Sequence, residues 1–185
     1  MKLLEISIAT QGWKKIPHLS ERLNKAAALT LKHLPKKFQH PCKVNLLLTS
    51  DAAIRRLNRD FRGFDKPTNV LSFPQFTPAQ LTKMGKIRGG IELGDIAISY
   101  QYVVDEAKKD HKILINHLIH LMIHGLLHLF SYDHLSNSEA EKMERLERRI
   151  MSKLGLPDPY KIAVAVPARS RTSKRNRVPR QRTKT

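Results

Sequence analysis

The stretch HKILINHLIHLMIHGLLHLFSYDH, residues 111 to 134, holds six of the chain's nine histidines in a run that is otherwise mostly aliphatic. At about 100° per residue, His117, His120, His124 and His128 fall in one narrow stripe, while Ile119, Met122, Ile123, Leu126 and Leu127 fill the remainder. The pattern predicts a long central helix with one imidazole face and apolar sides turned to the core. His124 and His128 are one turn apart, so both rings project from the same face at a separation one metal ion can bridge. If the helix stops near Ser131 and Tyr132, the chain can turn and carry His134 over the first two rings. Three imidazoles form an open zinc site whose fourth position is left for water, as catalytic zinc requires; a structural site would need a fourth protein ligand. Nickel and copper also suit imidazole, and one zinc ion per chain is the expectation.

The spacing equals that of the zincin pattern HExxHxxGxxH. Gly125, however, stands where that pattern has its general-base glutamate, which disfavours peptide hydrolysis. Ser131 stands at the pattern's turn glycine, so a residue with a Cβ is expected in a left-handed conformation that costs roughly 1 kcal/mol. A membrane span needs about 20 apolar residues. The 18 from Ile113 to Phe130 include Asn116 and four histidines, so no membrane partner is expected. His117 and His120 have no partner at ligand spacing and are read as lining the approach to the metal or facing solvent.

Downstream, Ser136 or Asn137 can cap a final amphipathic helix, roughly Ser138 to Leu154, ended by Gly155 and Pro157. Its Met143, Leu146 and Ile150 turn inward, and Glu139, Glu141 and Glu144 share a solvated face with Lys142, Arg145, Arg148 and Arg149. Upstream, GDIAISY (94 to 100) alternates as a strand, with Asp95 fixing a loop or strand start, and leads into a helix near Gln101 to Lys109. Val70 to Phe73 is a short strand halted by Pro74, and residues 75 to 90 are read as a mobile loop. Ser50 or Asp51 can cap a helix in which Ile54, Leu57 and Phe61 face inward while Arg55, Arg59 and Arg62 face elsewhere; Gly63 ends it. Leu3 to Ala9 and Val44 to Thr49 read as strands, and a helical pattern carrying Leu19, Leu23 and Ala26 runs from Pro17 towards Leu34.

At 185 residues the chain suits one domain able to bury its own core. The single cysteine, Cys42, excludes an intramolecular disulfide and is expected to be buried and inert in a reducing compartment. The start, MKLLEISIAT, carries Glu5 inside its apolar run and does not read as a signal peptide; a cytoplasmic location is expected. Net charge is +18. Nine of the 34 basic residues lie from Lys161 onward with no acid among them, so residues 1 to 160 still carry +9. A polyanionic partner, nucleic acid above all, is the natural expectation. The chain is thus divided into a domain over 1–160 and a basic, disordered tail over 161–185, the tail being either a tether held by phosphate contacts or a solubilising extension.

The trio LNRDFRG, TNVLSFP and GDIAIS, followed by HGLLHLFSYDH, resembles the YbeY-type bacterial metallo-endoribonucleases over about residues 1 to 157. The resemblance implies an α+β fold: a mixed sheet of about four strands with helices packed round it and a zinc site on the long central helix. It implies cleavage of single-stranded RNA in ribosomal RNA maturation, at the small-subunit 3′ end, and in ribosome quality control. It implies ribosomal RNA and the small ribosomal subunit as partners, and a ribosome-associated GTPase and ribosomal proteins besides. His124, His128 and His134 match the family's metal ligands, and Arg62 matches an arginine associated with RNA processing. Three positions depart from the family's usual pattern: Ser131 for glycine, Asn69 for aspartate and Phe61 for tyrosine.

The resulting expectation is a zinc-dependent endoribonuclease in which the metal supplies Lewis acidity, His124 belongs to the catalytic centre, and Arg62 offers a planar fork to phosphate. Arg55, Arg59 and Lys66 would add diffuse attraction for RNA. Asp133 would either shape the turn or support the metal from behind a ligand. Rival classes are a zinc metallohydrolase acting on peptides and a non-catalytic ribosome-assembly factor.

Overall fold

Four strands and seven helices appear in the computed structural model, which describes residues 3–83 and 90–161. In chain order they are β1 (Leu4–Ile8), α1 (Gln11–Lys14), α2 (Leu19–His33), β2 (Cys42–Thr49), α3 (Asp51–Arg62), β3 (Val70–Pro74), α4 (Pro78–Leu81), β4 (Ile91–Ser99), α5 (Tyr100–Lys109), α6 (Leu114–Leu129) and α7 (Asn137–Lys153). The sheet order is β1-β2-β4-β3, with β1, β2 and β4 parallel and β3 antiparallel at the edge. This is the mixed four-stranded α+β fold that the family resemblance implies.

Period-two alternation splits the sheet into two faces. Leu4, Val44, Leu46, Leu48, Ile96 and Ile98 join one large core with α2, α6 and α7, including Leu23, Leu118, Leu126 and Ile150. On the opposite face a small cluster of Ile54, Leu71 and Ala97, flanked by Leu47, Leu57 and Phe73, is capped by α3. The rest of that face stays open. There Lys43 pairs with Glu5 at 2.6 Å, and the Asn45 amide donates to Glu92 at 2.6 Å and to Asp95 at 2.9 Å. Asp95 therefore lies inside β4 on its exposed side rather than at a strand start. Cys42 is buried, and burial raises its thiol to about 11, which leaves it protonated and unreactive.

Two close approaches fix how α6 and β4 sit. Gly94 has φ 143°, and a Cβ there would meet the Phe73 carbonyl at 2.3 Å, so β3 can pair with β4 here only across a glycine. In α6 a Cβ on Gly125 would lie 3.0 Å from both Ile96 and the Ser72 hydroxyl. The position that holds the base in zincins is wedged against the sheet.

Several expectations need correction. Phe61 is 67 % exposed, lying edge-on to Phe73 at 5.1 Å, and Asn58 takes the inward place, donating to the Lys66 carbonyl at 2.8 Å. By that register α3 has run past the edge strand. Ser50 occupies the N-cap position of α3 but forms no side-chain cap; Asp51 instead accepts from the Ser99 hydroxyl and from the Tyr102 amide. The segment read as a loop from 75 contains α4, started by a capping box between Thr77 and Gln80; residues 84–89 lie outside those described. So does the tail beyond Lys161. No single helix among the described residues is long and apolar enough to cross a membrane.

Candidate metal centre

Helix α6 is apolar on nearly every side and is buried between the sheet, α2, α5 and α7. Its end is built by a backbone motif. The Ser131 amide donates to the His128 carbonyl at 2.9 Å and the Tyr132 amide to the Leu127 carbonyl at 3.1 Å, the paired bonds of a Schellman stop. Ser131 is the left-handed residue of that stop, with φ 61°. The turn sends the chain back so that His134 returns to the helix end.

His124, His128 and His134 come together there, each offering a ring nitrogen, with these atoms all within 4.8 Å of one another. The Nε2 atoms of His124 and His128 are 3.1 Å apart. Burial, with the neighbouring His124, lowers His128 to about 4, so its ring is neutral and its lone pair free over the whole ordinary pH range. An all-imidazole set, convergent at a helix end, fits a borderline divalent metal.

Two of these rings are tied to carboxylates. His124 Nδ1 lies 2.9 Å from Glu147 Oε1, and since an ionised carboxylate only accepts, that nitrogen carries the proton and Nε2 is left bare towards the other two histidines. Asp133 Oδ1 accepts from the His134 amide at 2.8 Å and lies 3.2 Å from His134 Nδ1. It both shapes the turn and backs the third ring.

Glu147 carries no motif and is missed by sequence reasoning. It comes from α7, is fully buried, and also receives His120 Nε2 at 3.0 Å and the Tyr160 hydroxyl. Burial alone would raise its carboxyl, but the hydrogen bonds from His120 and His124 outweigh burial and hold it down at about 2. The available signal was its register: Glu147 is four residues after Met143 and three before Ile150, on the inward stripe.

His117 and His120 do not face solvent or line the approach to the three ligands. Both are buried, and each is spent on a carboxylate. His117 Nε2 lies 2.9 Å from Glu106 Oε2, and Glu106 also accepts from the Asn69 amide at 3.1 and 3.2 Å. Asn69, the departure from the usual aspartate, thus donates where an aspartate would meet a second carboxylate.

Arg62 ends α3 and reaches β3, where its Nη2 donates to the Ser72 carbonyl at 3.4 Å; the Ser72 hydroxyl abuts Gly125, next to His124. Arg62 is thus anchored on β3, the strand against which α6 packs. The other basic residues are otherwise engaged. Arg55 makes a two-pronged pair with Asp65 at 2.7 Å, Arg59 pairs with Asp60 at 2.9 Å, and Lys66 sits 5.9 Å over the Phe64 ring.

Comparison with known proteins points the same way. The family model described as endoribonuclease YbeY matches residues 7–155. A Rhizobium etli protein named endoribonuclease YbeY is 46 % identical over 162 residues, covering 85 % of this chain and 92 % of that protein. An Allorhizobium ampelinum protein of the same name is 44 % identical, covering 86 % of this chain and 96 % of its own. Among solved structures, the solution structure of a Thermotoga maritima protein matches with a TM-score of 0.52 and 27 % identity, covering 85 % of this chain and 99 % of that one.

Proposed function

Since the chain belongs to the endoribonuclease YbeY family, we propose that this endoribonuclease cuts single-stranded RNA in ribosomal RNA maturation, at the 3′ end of the small-subunit RNA, and in ribosome quality control. In this reading one zinc ion per chain is held by His124, His128 and His134. The observation that carries it is the convergence of three imidazole nitrogens within 4.8 Å at the stop of a buried helix, one ring already locked by a buried carboxylate. Bound there, zinc would supply Lewis acidity towards a phosphodiester oxygen.

The chain's own residues supply the rest. His124 belongs to the reactive centre as well as to the ligand set. Arg62, held among the described residues by a long hydrogen bond to Ser72, presents its fork to the phosphate beside the histidines. Arg55, Arg59 and Lys66 contribute attraction rather than readout, because Arg55 and Arg59 are already paired with acids at the surface. A protease-type base at Gly125 would press its Cβ to 3.0 Å from the Ile96 and Ser72 side chains and point into the sheet packing, which argues against peptide hydrolysis. The reading carries with it the small ribosomal subunit, a ribosome-associated GTPase and ribosomal proteins as partners, and a cytoplasmic location.

The test is metal analysis of the purified protein coupled to cleavage of structured ribosomal RNA, before and after chelation, with casein as a parallel substrate. One equivalent of zinc, RNase activity lost on chelation and restored by zinc, and intact casein are expected. Full RNase activity with no bound metal would overturn the metal assignment. A cyclic phosphate at the product end would give the attack to the RNA's own 2′ hydroxyl rather than to water.

A further inference from the structure

Behind the three histidines lies a buried relay that reaches the C-terminal segment. Glu147 is completely enclosed and its two oxygens are divided between partners: Oε1 takes His124, while Oε2 takes His120 and the Tyr160 hydroxyl. Tyr160 belongs to no helix. It is delivered by the stretch after α7, where Arg148 holds Asp158 at 3.4 Å and stacks over the Tyr160 ring at 4.8 Å. The same ring stands edge-on to His120 at 5.4 Å. Residues 157–160 are therefore clamped from two sides onto the back of the metal centre.

We propose that Glu147 is a positioning residue for the metal ligand His124, and that Tyr160 acts on the metal centre through Glu147. This rests on the three-histidine reading above. A carboxylate that accepts the outward N–H of a ligating histidine fixes both the ring's orientation and the tautomer that frees the inward nitrogen, and it makes that nitrogen more basic. Here the carboxylate must itself be fixed. Glu147 rides on α7, whereas its target is on α6, and a glutamate with three rotatable bonds loses much side-chain entropy when immobilised. His120 and Tyr160 bear on Oε2 and leave Oε1 for His124 alone. A buried charge without such partners would be strongly disfavoured. The C-terminal stretch is in this way a part of the metal centre, although none of its residues is a ligand.

The experiment compares the full-length protein with Glu147→Gln, Tyr160→Phe and the double variant. Zinc affinity is read by competition with a chromophoric chelator, ligand geometry by the visible spectrum after cobalt(II) loading, and apo-protein stability by thermal unfolding. Glu147→Gln keeps the shape and removes the charge, and is expected to weaken zinc binding about 10–100-fold and to change the cobalt spectrum. Tyr160→Phe, which perturbs the fold least, is expected to weaken binding in the same direction by a smaller factor. The double variant should bind zinc no more weakly than Glu147→Gln alone, since Tyr160 acts through the carboxylate. Unchanged zinc affinity in Tyr160→Phe, or in a folded Glu147→Gln variant, would overturn the inference while leaving the three-histidine site standing. So would additive losses in the double variant. Should Glu147→Gln fail to fold, Tyr160→Phe decides alone. Native protein that binds neither zinc nor cobalt would overturn the site itself and the inference with it.

Discussion

Arg62 illustrates how much a single side chain is asked to do here. Among the described residues its hydrogen bond is to the Ser72 carbonyl at 3.4 Å, too long to hold it firmly, so the guanidinium can turn to a ligand. A forked, charge-assisted contact to phosphate is worth about 1.5–3 kcal/mol, and a lysine keeps the charge but not the fork. Arg62→Lys is accordingly expected to lower kcat/KM on RNA by about 10–100-fold with thermal stability and zinc content unchanged; wild-type kinetics would remove Arg62 from the site. The metal-ligand spacing was legible at this scale because one turn of helix fixes where His124 and His128 point. The carboxylates behind the histidines were not. Glu106 and Glu147 reach His117, His120 and His124 from other helices, and linear spacing says nothing about which helices become neighbours.

At the scale of elements, periodicity located α3, α5, α6, α7 and the inner strands, since each carries a full apolar stripe or alternation. The short α1 and α4 have too few turns to show a stripe. Phe61 followed the stripe correctly but lies where α3 has run beyond the sheet it covers, with Phe73 edge-on to it and most of its ring exposed. The stop of α6 makes a sharper case, because a family-level departure at Ser131 was matched by the strained conformation it implies, φ 61°. Left-handed backbone costs a residue with Cβ about 1–2 kcal/mol, partly offset in a glycine by the greater freedom lost on folding. Ser131→Gly should therefore stabilise the protein by about 0.5–1 kcal/mol in chemical denaturation. Gly125→Glu should do the reverse. It forces a side chain into the 3.0 Å contacts with Ile96 and Ser72 and buries a carboxylate there, at a cost of about 3 kcal/mol or more; peptidase activity in a stable Gly125→Glu protein would refute the packing argument.

For the molecule as a whole, acid sensitivity follows from two of the buried groups. His128 is held neutral down to about 4, while in the unfolded chain it takes up a proton near 6.5. The unfolded state thus binds more protons between these values, and metal-free protein loses stability as pH falls from 6.5 to 4. Glu147 adds a second stage. Its carboxyl, near 4.5 when unfolded and about 2 when folded, contributes stability that is complete above 4.5 and drains away as pH falls towards 2. Midpoints of urea unfolding across pH 7 to 3 should decline throughout, and His128→Gln should flatten the upper part of the curve; a midpoint independent of pH between 6.5 and 4 would contradict the burial of His128. Beyond Tyr160, removal of the basic tail should weaken RNA association most at low salt, as filter binding at two ionic strengths would show.

The open face of the sheet gives this charge a direction. Glu5, Glu92 and Asp95 gather on it, while the histidine cluster lies beyond α6 on the other side of the strands and Arg62 at the β3 edge. Lys43 answers Glu5 there, but Glu92 and Asp95 are held by the neutral Asn45 amide, so a strongly cationic body carries a local negative patch, and in the field of a polyanion torque acts on it before contact. An approaching RNA strand would swing the molecule until that patch points away, so that a larger share of encounters would begin with the cutting edge already presented.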